Sequence, residues 1–172
     1  MSFLYFLESI RNPVLDFLFS LITLGGEETL FIAIAMAFFW CIDKKRGYYL
    51  LLVGFTGVIG TQILKMSFRI PRPWVLDPEF PIVESAREAA TGYSFPSGHT
   101  QCATTLYGGI AGTAKKNAMR IGGIALVLLV AFSRLYLGVH TLLDVGVGLL
   151  LGTVLLLILY PLYEYAYGHP KR

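Results

Sequence analysis

The chain has 172 residues, of which 55% are hydrophobic and 15% charged, and its mean hydropathy is +0.64; a soluble domain carries about 25% charged residues. Composition therefore excludes a soluble globular protein and puts the chain in a bilayer, as one domain spanning 1–172. The net charge of +3 does not indicate nucleic acid, because the basic residues stand in short clusters between apolar runs, a pattern that orients a membrane protein.

Residues 1–26 begin MSFLYFLESIRNPVLDF and lack both a basic leading region and a small-residue cleavage site, so they are not read as a cleaved signal peptide. Glu8, Arg11, Asn12, Pro13 and Asp16 interrupt the apolar run. The segment is expected to be an amphipathic helix lying in the outer interface, with a sixth span as the alternative. A helix crosses the hydrocarbon core with roughly 17–25 apolar residues, and stretches at 27–42, 47–66, 98–114, 118–137 and 140–163 approach that length. The expected fold is all-α: a polytopic membrane helix bundle with two spans in 27–66, a loop at 67–97, three spans in 98–163 and a tail at 164–172. Gly108 and Gly112, or Gly148 and Gly152, have the four-residue spacing that lets helices approach closely. The two cysteines, Cys41 and Cys102, fall in or beside spans and are expected to be free, buried thiols rather than a disulfide.

The connections after the first and third of these spans carry DKKR (43–46) and AKKNAMR (114–120), and the chain ends HPKR. If the helices alternate, these clusters share one side, which the distribution of Lys and Arg makes cytoplasmic. The opposite, extracytoplasmic side then receives the end of the second span, the loop 67–97 and the turn near Leu137–His140.

Everything chemically unusual lies on that opposite side. KMSFRIPRP carries Lys65 and Arg72, with Pro71 and Pro73 ending the helix; alone, such a pair is as easily explained by basic side chains reaching to the interface. GYSFPSGHTQ introduces a helix with Ser97 and Gly98 at its start and His99 in its first turn, where free N–H groups and the positive dipole end favour an anion. An ordinary helix cap accounts for that fragment taken singly. SRLYLGVHTLLD holds Arg134, His140 and Asp144 between two apolar runs, where ionisable groups are costly and usually functional. His140 and Asp144 are four residues apart, so they share a helix face, and the carboxylate can fix the tautomer that leaves the other ring nitrogen free.

Three cations, a helix start, two histidines and an orienting carboxylate form an anion site suited to phosphoryl transfer, with the cations in the role metal ions fill elsewhere. The residues give no sign of a metal site or a Gly-rich nucleotide loop, so no metal and no cofactor is expected. Two functions of different class fit such a site: an enzyme that cleaves a phosphate, or a binding or transport protein that only holds one. The His99, His140 and Asp144 set favours the enzyme, since holding an anion needs no nucleophile.

These three stretches resemble the motifs of the type 2 phosphatidic acid phosphatase superfamily of membrane lipid phosphatases: Lys, six residues, Arg-Pro; Pro-Ser-Gly-His; and Ser-Arg, five residues, His, three residues, Asp. All three match in residues, order and spacing, and the resemblance covers roughly 10–163. Soluble haloperoxidases and acid phosphatases share the motifs, but the composition argues against them. The resemblance implies metal-independent hydrolysis of a lipid phosphate or pyrophosphate such as phosphatidic acid, phosphatidylglycerol phosphate or undecaprenyl pyrophosphate. It implies that His140 attacks phosphorus, Asp144 supports it and His99 protonates the leaving oxygen, while Lys65, Arg72, Ser97, Gly98 and Arg134 hold the phosphate. Transfer to another lipid through the same phosphoenzyme is the alternative. An integral plasma-membrane protein acting on the extracytoplasmic face, with the bilayer and a lipid substrate as partners, is the corresponding expectation.

Overall fold

The computed structural model describes residues 1–88 and 90–168, so the terminal HPKR cluster and the end of the expected tail lie outside the described residues. Every regular element among the described residues is helical: α1 (Ser2–Ser9), α2 (Pro13–Leu24), α3 (Glu28–Ala37), α4 (Lys44–Phe68), α5 (Pro73–Leu76), α6 (Gly98–Ala103), α7 (Gly109–Thr113), α8 (Asn117–Tyr136) and α9 (Leu142–Gly168). π-turns at Phe38–Ile42 and Thr104–Gly108 extend α3 and join α6 to α7.

Three stretches, Lys44–Leu76, Asn117–Tyr136 and Leu142–Tyr165, are long and apolar enough to cross a bilayer; α2 and α3, bent by 49° at their junction, make a fourth candidate as a pair. The protein is a multi-pass membrane protein, and its exterior shows why. On α4 the exposed side chains Leu52, Phe55, Ile59, Ile63 and Met66 recur at helical spacing, a stripe that faces hydrocarbon rather than a protein core.

This differs from the five separate spans and single N-terminal helix expected from the sequence. Residues 1–26 form two helices because Asn12 caps α2, its Oδ1 accepting from Val14 N at 3.1 Å and Leu15 N at 3.0 Å, with Pro13 in the first turn. The stretch expected to span from 27 is the second half of the bent pair. The expected 98–114 span is α6, a π-turn and α7 in succession, where Thr104 and Thr105 hydroxyls bond back to the carbonyls of Thr100 and Gln101 at 2.7 and 3.1 Å. Both cysteines are free, but only Cys102 is buried; Cys41 is exposed.

Asp43 caps α4 through Lys45 N and Arg46 N, and α4 ends at Arg69 in the left-handed region (φ 50°), just ahead of Pro71 and Pro73. Gly148 and Gly152 let α9 approach the α6 region closely: a Cβ on Gly148 would lie 2.7 Å from Ser97 O, and one on Gly152 would lie 2.6 Å from Thr104 Cβ in the π-turn. Gly112, by contrast, faces open space. The core contact of Phe31, Ala35, Leu50 and Leu106 joins α3 and α4 to the π-turn after α6.

α1 packs through Leu4 and Leu7 on Phe80, Ala131 and Leu135, so the N-terminal segment covers the end of α8. Arg11, between α1 and α2, donates to Tyr136 O at 3.0 Å and Pro81 O at 2.7 Å. Tyr136 donates to Asp16 Oδ1 at 2.8 Å. These bonds clamp the turn between α8 and α9 from outside, while Ala86, Ala90, Leu137 and Val139 pack beneath it. Gly138 makes the turn possible: its φ is +79°, and a Cβ there would lie 2.6 Å from Arg11 Nη2 and 2.9 Å from the Phe80 ring.

Candidate active site

The ends of α4, α6 and α8 and the turn before α9 converge on a cavity of about 540 Å³ whose wall includes Lys65, Arg72, Gly98, His99, Arg134 and His140. The three sequence stretches therefore supply one site. Each charged side chain reaches it from a helix end: Lys65 lies in the last turn of α4, Arg134 in the last turn of α8, and Arg72 just ahead of α5.

His140 is 1% exposed and lies in the turn between two spans. Arg72 Nη1 stands 3.0 Å from its Nε2; since a guanidinium can only donate, Nε2 accepts and the ring proton sits on Nδ1. On the Nδ1 side, Ser94 Oγ is at 3.4 Å and Asp144 Oδ2 at 3.6 Å. The carboxylate is thus just beyond direct hydrogen-bond reach. Ser94 closes the gap by donating to Asp144 Oδ2 at 2.6 Å, which gives a chain from Nδ1–H through Ser94 to Asp144. Thr141 N also donates to Asp144 Oδ2, at 2.7 Å. Burial lowers the His140 pKa from its ordinary value against the pull of Asp144, which keeps the imidazole neutral and its Nε2 unprotonated, with the lone pair held by Arg72.

Ser94 has no place among the residues singled out from the sequence. It lies inside the quoted GYSFPSGH stretch, but serine is common at loop ends, and only the fold brings Ser94 to Asp144.

The cations are held in place by backbone and hydroxyl groups. Arg72 is 5% exposed, and its Nε and Nη2 donate to Gly92 O at 3.1 Å and Thr91 O at 2.7 Å. Lys65 Nζ donates to Tyr93 O at 2.6 Å. Arg134 is fully buried, with Nη1 donating to Thr23 Oγ1 at 2.6 Å, while its Nε and Nη2 have no partner. His99 Nε2 is likewise buried without a partner. Unpaired polar groups of this kind are costly to bury, and here they border a cavity that an anion can fill.

Ser97 sits apart from this pattern. It is fully buried as the cap of α6, with Oγ accepting from Thr100 N at 3.4 Å and Thr100 Oγ1 at 2.9 Å, and its own N–H donates to Asp144 O at 3.0 Å. Its position ties the start of α6 to the residue behind His140.

Known structures share this fold. The solved structure of LpxE from Aquifex aeolicus aligns with a TM-score of 0.80 at 24% identity, covering 92% of each chain. That of a transmembrane PAP2 type phosphatidylglycerolphosphate phosphatase from Bacillus subtilis aligns at 0.78 and 28% identity, covering 95% of this chain and 84% of that one. A probable sphingosine-1-phosphate phosphatase of Dictyostelium discoideum is 31% identical over 94% of this chain and 42% of its own length. Human sphingosine-1-phosphate phosphatase 2 is 26% identical over 91% and 40%, respectively. The chain thus spans about two fifths of these curated relatives. Residues 45–167, which contain all three motifs and with them Lys65, Arg72, Arg134 and Asp144, match the sequence profile of the PAP2 superfamily, and the chain belongs to that family.

Proposed function

We propose that the protein hydrolyses the terminal phosphate of a membrane lipid phosphate through a covalent intermediate on His140. The observation that carries this reading is the buried imidazole with Nε2 turned to Arg72 and Nδ1 backed by Ser94 and Asp144, at the wall of a cavity that also holds His99, Lys65 and Arg134. A protein that merely held a phosphate would need the cations but not the oriented imidazole.

As Arg72 Nη1 transfers its hydrogen bond from Nε2 to a phosphate oxygen, the freed Nε2 lone pair attacks phosphorus, and the bond between phosphorus and the lipid oxygen breaks with its electron pair passing to that oxygen, which takes a proton from His99. Water then attacks the phosphohistidine, giving its proton to His99, and the P–N bond returns its pair to Nε2. Lys65, Arg72, Arg134 and the start of α6 at Gly98 hold the equatorial oxygens as charge spreads over them, while Ser97 caps that helix start from behind the cavity wall. Asp144, through Ser94, supports the imidazole as it becomes cationic.

Lys44, Lys45 and Arg46 open α4, whose other end carries Lys65; Lys115 and Lys116 precede α8, whose other end carries Arg134. With the basic ends cytoplasmic, the reaction takes place on the extracytoplasmic face of the plasma membrane. Head-group depth favours a phosphate carried on an apolar anchor, which contributes about 0.8 kcal/mol of membrane affinity per buried methylene. The names of the relatives add sphingosine 1-phosphate to phosphatidic acid, phosphatidylglycerol phosphate and undecaprenyl pyrophosphate as candidate substrates. The test is phosphate release by the purified, detergent-solubilised protein from these four lipids and a soluble sugar phosphate. A higher kcat/KM for at least one lipid is expected, and preference for the soluble ester would contradict the lipid assignment.

A further inference from the structure

The break between α2 and α3 brings two carboxylates to the wall of the same cavity. Glu27 and Glu28 line it together with Lys65, Arg72 and His140. Neither carboxylate makes a hydrogen bond or ion pair among the described residues. Acidic residues suit the first turn of a helix, but Glu27 makes no side-chain cap, and the dipole of α3 does not require either group to face a cavity built for an anion. Two carboxylates at a break in an apolar span need a further reason.

Their surroundings indicate a ligand. Thr61, one helical turn before Lys65 on α4, is 2% exposed and lines the cavity, yet its hydroxyl has no partner. Arg134 is also fully buried in that wall with two unpartnered nitrogens. Lys65 bonds to Tyr93 O and Arg134 Nη1 to Thr23; Glu27 acts on Arg134 and Glu28 on Lys65 through space, but neither carboxylate makes a direct ion pair with a cation among the described residues. The chain path gives the relative placement: Gly26 packs so tightly on His99 that a Cβ there would lie 2.7 Å from His99 O. Glu27 and Glu28 follow directly.

We propose that Glu27 and Glu28 form a cation subsite beside the phosphate cradle, selecting a lipid phosphate monoester that carries an ammonium group close to its phosphate, as a phosphorylated long-chain amino alcohol does. The proposal rests on the phosphatase reading of the cavity. In that reading His99 protonates the leaving oxygen, so the carbon chain of the substrate departs from the position of His99. An amine one or two carbons along that chain arrives where α3 begins, and Thr61 is placed to accept from the same head group. A substrate of the same length without the charge leaves both carboxylates facing an anion's carbon chain with no cation in direct contact.

The test uses the full chain in detergent and compares kcat/KM for sphingosine 1-phosphate and its N-acetyl derivative, which keeps the phosphate and chain but has no ammonium. The wild-type chain prefers the amine, and the Glu27→Gln/Glu28→Gln double variant lowers the ratio of the two by about tenfold, the scale of one hydrogen bond to a charged group. A Glu27→Asp/Glu28→Asp variant keeps part of the preference. The ratio is taken within one preparation, so partial misfolding cancels. Turnover of both lipids without discrimination, or a ratio unchanged in the double Gln variant, overturns the subsite alone. No phosphate release from either lipid, alongside release from phosphatidic acid, phosphatidylglycerol phosphate or undecaprenyl pyrophosphate, also overturns the subsite alone; no release from any of these lipids overturns the phosphatase reading and the subsite with it.

Discussion

His140 is set up by its neighbours more than by its own position in the chain. Asp144 reaches it at 3.6 Å, and Ser94 joins the two at 3.4 and 2.6 Å. Ser94→Ala removes the shorter bond to a charged partner, a change worth roughly 1.5–3 kcal/mol. kcat is expected to fall about 10- to 100-fold with KM little changed, since Ser94 does not line the cavity. A merely structural loss would lower the active fraction without altering the pH profile. Removing the link to Asp144 weakens support for the charged imidazole, so the acidic limb reporting His140 should move to lower pH. In the wild type that limb is expected below the ordinary histidine value of about 6.5, because burial lowers the pKa of His140 and acidification would protonate the proposed nucleophile only there. Arg134, His140 and Asp144 were legible in the sequence because charges in an apolar run stand out. Ser94 was not, because a serine costs little wherever it falls and its partner lies 50 positions away.

The elements that hold the site follow local rules that can be read in part from the sequence. Asn12-Pro13 starts α2 and the two prolines after Ile70 end the α4 region, but the bend at Gly25–Glu27 and the π-turns depend on what packs against them. Gly26 has to pass His99 closely, and nothing in the spacing of apolar residues announces that contact. The turn after α8 is the element most exposed to a single change. Gly138→Ala places a Cβ in a left-handed conformation at a cost of about 1–2 kcal/mol, against Arg11 and Phe80. The expected result is a lower thermal midpoint in detergent and a reduced kcat, because the same turn carries His140. An unchanged midpoint and rate would mean that the turn has room the structure does not show.

At the scale of the whole molecule, an apolar exterior surrounds a polar centre near one end of the bundle. Hydropathy revealed the membrane class and roughly where the helices lie, but not that residues 13–42 form a bent pair. Periodicity reports which face of a helix is apolar and does not report how two helices meet. The basic clusters predict sidedness, which cysteine labelling can check. In a Cys41→Ser background, chosen because Cys41 is exposed, Glu79→Cys should react with an impermeant maleimide in intact cells. Lys116→Cys should react only after permeabilisation. The reverse pattern would put the cavity on the cytoplasmic side.

The central claim is that phosphorus passes through His140, and the most direct measurement is rapid quenching of the purified protein with a lipid substrate labelled in its terminal phosphate. The account predicts an alkali-stable, acid-labile phosphoryl group on the wild-type chain that maps to the peptide containing His140. His140→Ala should carry no such label and release no phosphate while retaining the wild-type thermal midpoint. Steady phosphate release by a folded His140→Ala variant would contradict the account.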